Sequence, residues 1–538
     1  MKQIKNRIFT LMLLSVISVT GVAQEIGLPS FEYVRQSEAW FGSENAAGLQ
    51  YLPVQKISSA TVFFNKSNGE FVNYFQSDNS YEWGAQTESF FRLNPQIVFY
   101  GKVYYANFTG KNMGGSAFID PYYNPFGIVE MTDDARGEKN KENYHLTGAV
   151  SAKVSDQWAI GGKINYTAAN YSKYKDLRHS NKYLDLTATA GLSYSFGKLL
   201  DVGINYLYRR SVEGLFFDIY GTTDKMYESL IDFGAFYGRK ELFGSGGGLY
   251  TKESNSPPVF NAFQGLALQL NVRFSPEWQF FNEFSYQSRT GYYGKKSPNT
   301  PILTEHHAGI IAYSGTLSYR EQIRQQDLNV SVNREQLNNY ENIFKENPSS
   351  EGGNKDILYY GNNQMLDRTV LQMKATYTAN LGITHYVPAW TLQAGGDFCN
   401  RQQTVSVYPF YRKQTIRFFN ARLSACKNTA IDRKNRYDVS LGVLYGSGSG
   451  TVFKDGVYVT PSENQKSPET TVFNLYREYE YLTAPRIAGK VGLGYSRLLN
   501  PLVQGYVHAH YEMTRARKIE YLEGDLSGTA ILAIGCVF

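Results

Sequence analysis

The chain has 538 residues, and 54 Lys and Arg against 48 Asp and Glu give it a formal net charge of +6. The basic residues form no concentrated stripe of the kind that binds nucleic acid, so we expect no nucleic-acid partner. Tyr and Phe raise the aromatic content to 15%. Beyond the first 23 residues no apolar run reaches the roughly 18 residues of a transmembrane helix, which excludes a helical membrane protein.

The first 23 residues have the pattern of a secretory signal peptide. Lys2, Lys5 and Arg7 form a basic start before an apolar run at residues 8–19, and residues 21–23 form an A-x-A-like cleavage site. The apolar run is shorter than the roughly 20 residues of a spanning helix, which argues against an N-terminal anchor. We therefore predict export, with cleavage after residue 23 reducing the net charge to +3.

The segment from Leu184 to Phe196 alternates between apolar and polar side chains. Because successive side chains of a strand point to opposite sides, this segment has two distinct faces. The apolar face consists of Leu184, Leu186, Ala188, Ala190, Leu192, Tyr194 and Phe196. The other face consists of Asp185, Thr187, Thr189, Gly191, Ser193 and Ser195. The segment is longer than a usual globular strand and suits a tilted crossing of a bilayer.

The same alternation recurs along the chain. It is found in Tyr144–Val154, Trp158–Ala168, Val202–Tyr208, Leu266–Phe274, Leu371–Ala379, Trp390–Phe398, Tyr437–Tyr445 and Ile487–Tyr495. Between Tyr437 and Tyr445, tyrosines bracket the apolar face, as expected for aromatic girdles at the two membrane interfaces. A soluble sandwich gives no reason for that placement.

Short and long connections alternate between these segments. The short ones are at 94–95, 155–157, 197–201, 275–277 and 498–501. The long ones are at about 109–142, 169–182, 209–264, 289–306, 335–367, 401–414, 446–484 and 514–527. Outer-membrane barrels have tight periplasmic turns and long extracellular loops. We therefore predict an all-β, transmembrane, antiparallel up-and-down barrel of about 18 strands, within roughly 16 to 20, surrounded by outer-membrane lipid and lipopolysaccharide.

The last residues alternate in the same way. Ala530, Leu532, Ile534, Cys536 and Phe538 form one apolar face that ends in an aromatic residue. This face resembles the signal by which the barrel-assembly machinery recognises its substrates. We expect the last strand to close the barrel against an early strand, with 56–65 and 70–76 as short candidate strands.

Asn45, Ala46, Ala47, Gly48 and Leu49 precede the first strand. They resemble the Asn-Pro-Ala-Gly-Leu element that opens barrels of the long-chain fatty-acid transporter class, although this chain has Ala46 in the proline position. The resemblance implies that residues 24–50 plug the lumen of a barrel at 51–538. The alternative is an ordinary loop with a glycine that ends a helix.

The remainder resembles uncharacterised outer-membrane barrels found beside nutrient-uptake genes in Bacteroidetes. That resemblance implies a surface lipoprotein or another uptake component as a partner, and it names no substrate.

One polar cluster has residues that can ligate a metal. His508, His510 and Glu512 alternate with apolar residues, so all three face the lumen in the predicted strand. Two histidines two positions apart on a strand can share a zinc, copper or nickel ion. The alternative is that they line a watery lumen. We expect no other cofactor.

The sequence offers little else that suggests chemistry. No Ser/His/Asp grouping indicates catalysis, so we expect no enzyme activity, and Cys399 and Cys426 suggest no disulfide framework. Basic pairs such as Arg209-Arg210 can bind lipopolysaccharide phosphates, attract anions or be solvated, and solvation is the simplest interpretation.

Three functional hypotheses remain. The first is passive passage of a small or amphipathic solute through a partly plugged lumen. The second is a non-porous barrel whose large extracellular loops bind a partner protein or surface ligand. The aromatic-rich stretch 209–264 can either fold inward as a constriction or fold outward as a contact surface. The third is metal or haem capture.

Overall fold

The computed structural model describes residues 28–219, 227–243, 248–251, 257–297, 300–348 and 355–538. The predicted signal peptide lies outside these residues. In the described part of the chain, none of the helices has the length and apolar character needed to cross a bilayer.

The described chain is dominated by strands, with two α-helices and three short 3₁₀ turns. The helices are α1 (Phe31–Gln36) and α2 (Val472–Thr483), and the 3₁₀ turns are Ala39–Gly42, Ala46–Tyr51 and Asp133–Ala135. The strands are β1 (Lys56–Gly69), β2 (Asn79–Arg92), β3 (Ile97–Met113), β4 (Gly127–Glu130), β5 (Gly137–Lys153), β6 (Trp158–Lys173), β7 (Arg178–Phe196), β8 (Leu200–Asp218), β9 (Glu228–Asp232), β10 (Tyr237–Leu242), β11 (Pro258–Arg273), β12 (Trp278–Ser297), β13 (Thr300–Glu321), β14 (Arg324–Pro348), β15 (Lys355–Leu381), β16 (Trp390–Val407), β17 (Phe410–Ala430), β18 (Asn435–Val457), β19 (Glu469–Thr470), β20 (Arg486–Asn500), β21 (Val503–Ala516) and β22 (Leu526–Val537).

Eighteen of these strands form one closed antiparallel sheet, which confirms the predicted barrel. Each strand pairs with its neighbours in the chain, except that β3 pairs directly with β5, β8 with β11 and β18 with β20. The last strand, β22, pairs with β1 from Ser59 opposite Val537 to Gly69 opposite Ser527. The backbones of Ser58 and Phe538 also exchange hydrogen bonds of 2.8 and 2.9 Å. The terminal strand therefore closes the barrel.

The predicted alternation sorts side chains between the outside and the lumen. Along β7, Leu184 and Leu192 are 38% and 39% exposed on the outer surface, whereas Asp185, Thr189 and Ser193 are less than 10% exposed inside. Exposed apolar side chains are favourable only where lipid replaces water. Together with the closed antiparallel topology, this apolar outer surface is that of a barrel embedded in the outer membrane.

The barrel wall has two very different heights. The strands of the tall wall, β13–β18, reach 27 residues in β15, whereas the strands of the short wall, β20–β22 with β1 and β2, have 12 to 15 residues. Stretches predicted as the connections 169–182, 289–306, 335–367 and 401–414 are mostly strand. Above the membrane both faces of a strand contact water, so the alternation that identifies strands is lost there.

The early part of the barrel also differs from expectation. β1 extends to Gly69, and β2 begins only at Asn79. Residues 70–76, predicted as a short strand, therefore lie in the connection between them. Phe71 and Tyr74 of this connection are buried. Their apolar character, which suggested a strand, instead reflects packing inside the barrel mouth.

Three extracellular connections fold inward and pack together. We call this group the loop cluster: the described parts of 114–136, 219–257 and 458–485. It contains a small sheet of β4, β9, β10 and β19, together with helix α2. Its apolar side chains pack against wall residues from β8 and β11 to β15 and β16. The aromatic stretch 209–264 thus contributes to the interior of the barrel.

Candidate functional site

The N-terminal segment, residues 28–55, lies inside the barrel near its periplasmic end. The 3₁₀ turn Ala46–Tyr51 contacts strands β3, β5, β6 and β7. Residues further upstream bond to β11, β12, β13 and β14. The wall residues involved lie near the periplasmic ends of their strands. This location is the one that the predicted lumen plug requires, and its role as a plug stays a prediction.

Trp40 anchors this segment by apolar contact. Its side chain is 1% exposed and packs on the rings of Tyr51 and Phe281, with centroid distances of 5.6 and 5.0 Å. The segment folds back closely at Gly48, where a Cβ atom would lie 2.7 Å from the Cβ of Trp40. A larger residue at Gly48 would displace Trp40. The glycine of the predicted motif therefore has a steric role.

Asn45 and Ala47 sit in a notch of the barrel wall that lacks side chains. A Cβ atom on Gly161 of β6 would lie 2.3 Å from the Ala47 nitrogen. A Cβ on Gly191 of β7 would lie 2.3 Å from Asn45 Oδ1. The notch lets Asn45 Nδ2 reach Gln269 Oε1 at 2.9 Å. The wall is therefore shaped to accept this part of the segment.

Ion pairs complete the attachment of the segment. Arg320 Nη1 lies 2.6 Å from Glu38 Oε1, and Lys163 Nζ lies 3.0 Å from Glu44 Oε2. Burial raises the pKa of Glu38, and the neighbouring Arg320 guanidinium opposes that rise. These polar contacts act beside an apolar core, in which side chains of the segment pack against β1, β2, β3 and β5: Phe31, Val34, Leu49 and Leu52 with Ile57, Phe90, Val98 and Ala149.

A cavity of about 640 Å³ lies between the N-terminal segment and strands of the surrounding wall. Its volume is in the range of small-molecule sites. Its charged lining residues carry both signs and are Arg35, Glu38, Glu88, Lys102, Lys163, Glu283, Asp327 and Lys374. The cavity suits a polar solute better than an apolar one, because fixed charges of both signs favour water or polar groups.

Arginines of the barrel wall bind the loop cluster through hydrogen bonds and ion pairs. Arg289, 1% exposed, donates from Nη2 to the Tyr123 carbonyl oxygen at 2.9 Å. Arg401 on β16 pairs with Glu478 of helix α2 at 2.7 Å. Such charge-assisted bonds are stronger than neutral ones. Sequence reasoning missed these arginines, because a lone inward arginine on a strand looks like any lumen-lining residue.

The interpretation of the basic pairs as simply solvated is wrong for Arg209, which has specific partners. Its Nε donates to Asp185 Oδ1 at 3.0 Å, and its guanidinium lies 4.8 Å from the centre of the Phe263 ring. The side chain faces the lumen, while its neighbour Arg210 lies on the opposite face of β8 against Phe260. The alternation of the strand therefore separates the two members of the pair.

The tip of one connection crosses the lumen to the opposite wall. Phe233 and Phe236 are 0% and 2% exposed, and a Cβ on Gly234 would lie 2.9 Å from Val405 of β16. Asp232 caps this tip by accepting hydrogen bonds from the Gly234 and Tyr237 amides at 2.8 and 3.0 Å. Burial nevertheless raises the pKa of Asp232 to about 6.

His508, His510 and Glu512 lie on the inner face of β21, where the alternation predicts them. His508 Nε2 lies 3.3 Å from Asp438 Oδ1 of β18, and the two imidazole centroids are 6.3 Å apart. Among the residues that the structure describes, no group of at least three His, Cys, Asp or Glu side chains has the arrangement to hold a metal ion. Metal binding here stays a prediction.

Solved structures similar to this chain include bacterial receptors, at low identity. BauA, the ferric preacinetobactin receptor of Acinetobacter baumannii, has 10% identity over 89% of this chain and 80% of its own, with a TM-score of 0.36. A mutant of the ferric enterobactin receptor PfeA of Pseudomonas aeruginosa has 9% identity over 90% and 81%, with a TM-score of 0.37. The alcaligin receptor FauA of Bordetella pertussis has 9% identity over 90% and 76%, with a TM-score of 0.36.

No curated protein matches the sequence. A family model, however, matches nearly the whole barrel together with the 3₁₀ turn that precedes it. It covers residues 46–538. The chain belongs to this family of unknown function, DUF6850.

Proposed function

We propose that this protein is a gated outer-membrane barrel for uptake of a small solute. The observation that carries the proposal is the division of the lumen. A cavity of about 640 Å³ adjoins the N-terminal segment near the periplasmic end, and the loop cluster spans the lumen near the extracellular end. A solute crosses such a barrel only if both elements rearrange.

The attachment of the N-terminal segment favours reversible movement. Beside a small apolar core around Val34 and Leu52, many of its contacts to the wall are ion pairs and hydrogen bonds. Water can replace these polar partners when the segment leaves, so breaking them costs less than exposing an apolar surface of similar area. The polar cavity beside it offers space for a solute in transit.

The loop cluster argues against a permanently open passive pore. Its apolar core reaches from Phe217 of β8 to Leu366 of β15 and Val405 of β16. These residues are at most 2% exposed. Free passage would require this core to open, and a solute or partner that favours the open form is the simplest cause.

Single-channel conductance in planar bilayers tests the proposal. The variant to compare with the full chain replaces residues 219–257 by a short Gly-Ser linker. This linker can join β8 to β11 because the two strands already pair, up to Gly214 opposite Pro258. We expect rare openings for the full chain and frequent steps for the linker variant. Adding Glu38→Gln to the linker variant should raise the open fraction further.

Arg35→Gln is the matched control for Glu38→Gln. Arg35 pairs with Glu32 within the same segment, at 2.8 Å, and so does not attach the segment to the wall. Stable steps from the unmodified chain would show a passive pore and refute gating. Absence of steps from the linker variant, with its barrel intact by circular dichroism, would favour a non-porous barrel.

The tall wall supports partner binding as a second candidate function. At its extracellular end, Tyr360, Tyr408 and Tyr458 are 63%, 64% and 53% exposed. Exposed aromatic side chains are common in protein interfaces. A photo-crosslinking residue at Tyr360 should trap one discrete outer-surface protein in cells, whereas the same residue at lipid-facing Leu441 should not. Identical patterns at both positions would reject this role.

A further inference from the structure

The loop cluster packs unevenly inside the barrel. Its main apolar core contacts wall residues of β8 and β11–β16, and none of the described residues of the short wall belongs to that core. On the side of the short wall, a separate and smaller buried group consists of Phe71, Ala484, Ala516 and Leu522. Beside that group lies a second cavity, of about 350 Å³.

Aromatic and apolar side chains form much of this second cavity. Phe71 and Phe75 come from the β1–β2 connection, Phe108 from β3 and Tyr481 from helix α2. The Phe71 and Tyr481 rings lie 5.2 Å apart. Ser527, Gly528 and Thr529 of β22 also line the cavity. The cavity therefore offers ring-sized apolar surfaces next to hydroxyl groups.

Lys141 of β5 provides the positive charge of this lining. It is level with Phe108 on one side and Tyr171 on the other, since it pairs with both in the sheet. Its ammonium lies 5.9 Å from the centre of the Phe108 ring. Among the described carboxylates, none forms an ion pair with it. Glu82 of β2 lies beyond Phe108 in the sheet, and its carboxylate accepts a hydrogen bond from Asn65 Nδ2 at 3.2 Å.

We propose that this cavity binds a small amphipathic anion, with an apolar body among the aromatic rings and a carboxylate or similar group on Lys141. The proposal rests on the proposed uptake function and names the class of solute it recognises. Ligand sites are typically apolar clefts of this size with a few polar groups that fix orientation. An unpaired ammonium beside an aromatic ring selects an anion, because a cation would be repelled there.

The position of the cavity suits recognition before transit. Ser67 and Gly69 are at the extracellular end of β1, and Ser527 is at the extracellular end of β22. A solute bound there sits beside the less densely packed side of the loop cluster. Binding can therefore favour a rearrangement of the loops without disrupting the core on the tall wall.

Calorimetric titration of the purified full chain tests the site with two probes. Phenylacetate carries an apolar ring and a carboxylate, and phenylacetamide is its neutral counterpart. We expect phenylacetate to bind more tightly, and Lys141→Gln to weaken it by about tenfold while leaving phenylacetamide unchanged, as loss of one charge-assisted hydrogen bond implies. Phe108→Leu should weaken both probes.

Lys182→Gln is the matched control, because Lys182 lies on the outer face of β7 and is exposed. An unchanged ratio of the two affinities in Lys141→Gln would overturn the proposal, and so would a wild-type chain that binds neither probe. These titrations do not depend on conductance. Probe binding without channel activity would reject gated uptake but support the anion site. Channel activity without probe binding would support gated uptake but reject the anion site.

Discussion

The two elements inside this barrel are held in different ways. The N-terminal segment combines ion pairs, hydrogen bonds and a glycine notch with a small apolar core on β1, β2, β3 and β5. The loop cluster is held by an extended apolar core that also includes wall residues. Polar contacts exchange readily with water, whereas an apolar core opens cooperatively. The difference suggests that the two elements open at different free energies.

The largest effect is expected from Phe233→Ala. Phe233 is fully buried in the loop cluster, and truncating such a side chain typically costs about 3–5 kcal/mol. Native-state hydrogen exchange should show faster exchange of the amides in β9 and β10, with the barrel strands unchanged. Phe216→Ala, on the exposed outer face of β8, is the control. Equal exchange in the two variants would contradict the description of the cluster as a separate core.

Filling the glycine notch should release the N-terminal segment without changing any residue of the segment. Gly161→Val overlaps Ala47, and overpacking costs about 1–3 kcal/mol, so trypsin should cleave at Arg35 roughly tenfold or more faster. Gly162→Val is the adjacent control, since its Cβ would meet only the Thr189 carbonyl oxygen at 3.8 Å. Exchange in β9 and β10 should stay unchanged. Faster cleavage at Arg35 together with faster amide exchange in β9 and β10 would show that the N-terminal segment and the loop cluster do not open independently.

The loop cluster should respond to pH through Asp232. Its pKa is raised to about 6, so the folded loop binds the proton more tightly than the unfolded loop does. Stability from this group is therefore fully present at low pH and lost as the pH rises through about 6. Amide exchange in β9 and β10, corrected for its intrinsic pH dependence, should be slower at acidic than at alkaline pH. Asp232→Asn should abolish the difference, and persistence of the difference would assign it to another group.

The smallest effect is expected at His508 and His510, on a strand that neither element covers. Zinc binding there should be weak, because the described residues offer no group of three His, Cys, Asp or Glu side chains arranged to hold a metal ion. The zinc content of the purified chain should fall when both histidines are replaced by alanine. Cleavage at Arg35 and exchange in β9 and β10 should not change. An unchanged zinc content would reject metal capture at this site.

Much of the wall could be predicted from the sequence, for a simple reason. In the bilayer, one face of each strand meets lipid and the other water, so residues such as Leu184 and Asp185 must differ in polarity. This contrast identified the strands, most of the periplasmic turns and the pairing of the last strand with an early one. The contrast between the two faces ends at the membrane surface. For that reason the outer parts of the tall strands β14 and β15 were predicted as loops.

The candidate site depends on contacts that no local pattern encodes. An aromatic residue such as Phe236 in a long connection can pack inward or outward, and only its fit against Tyr74 and the opposite wall decides. Gly161 looks like any strand glycine until Ala47 lies against it. The sequence by itself determined the barrel, because lipid and water act on each strand separately. Only the tertiary structure decided what occupies the lumen, because those contacts join residues far apart in the chain.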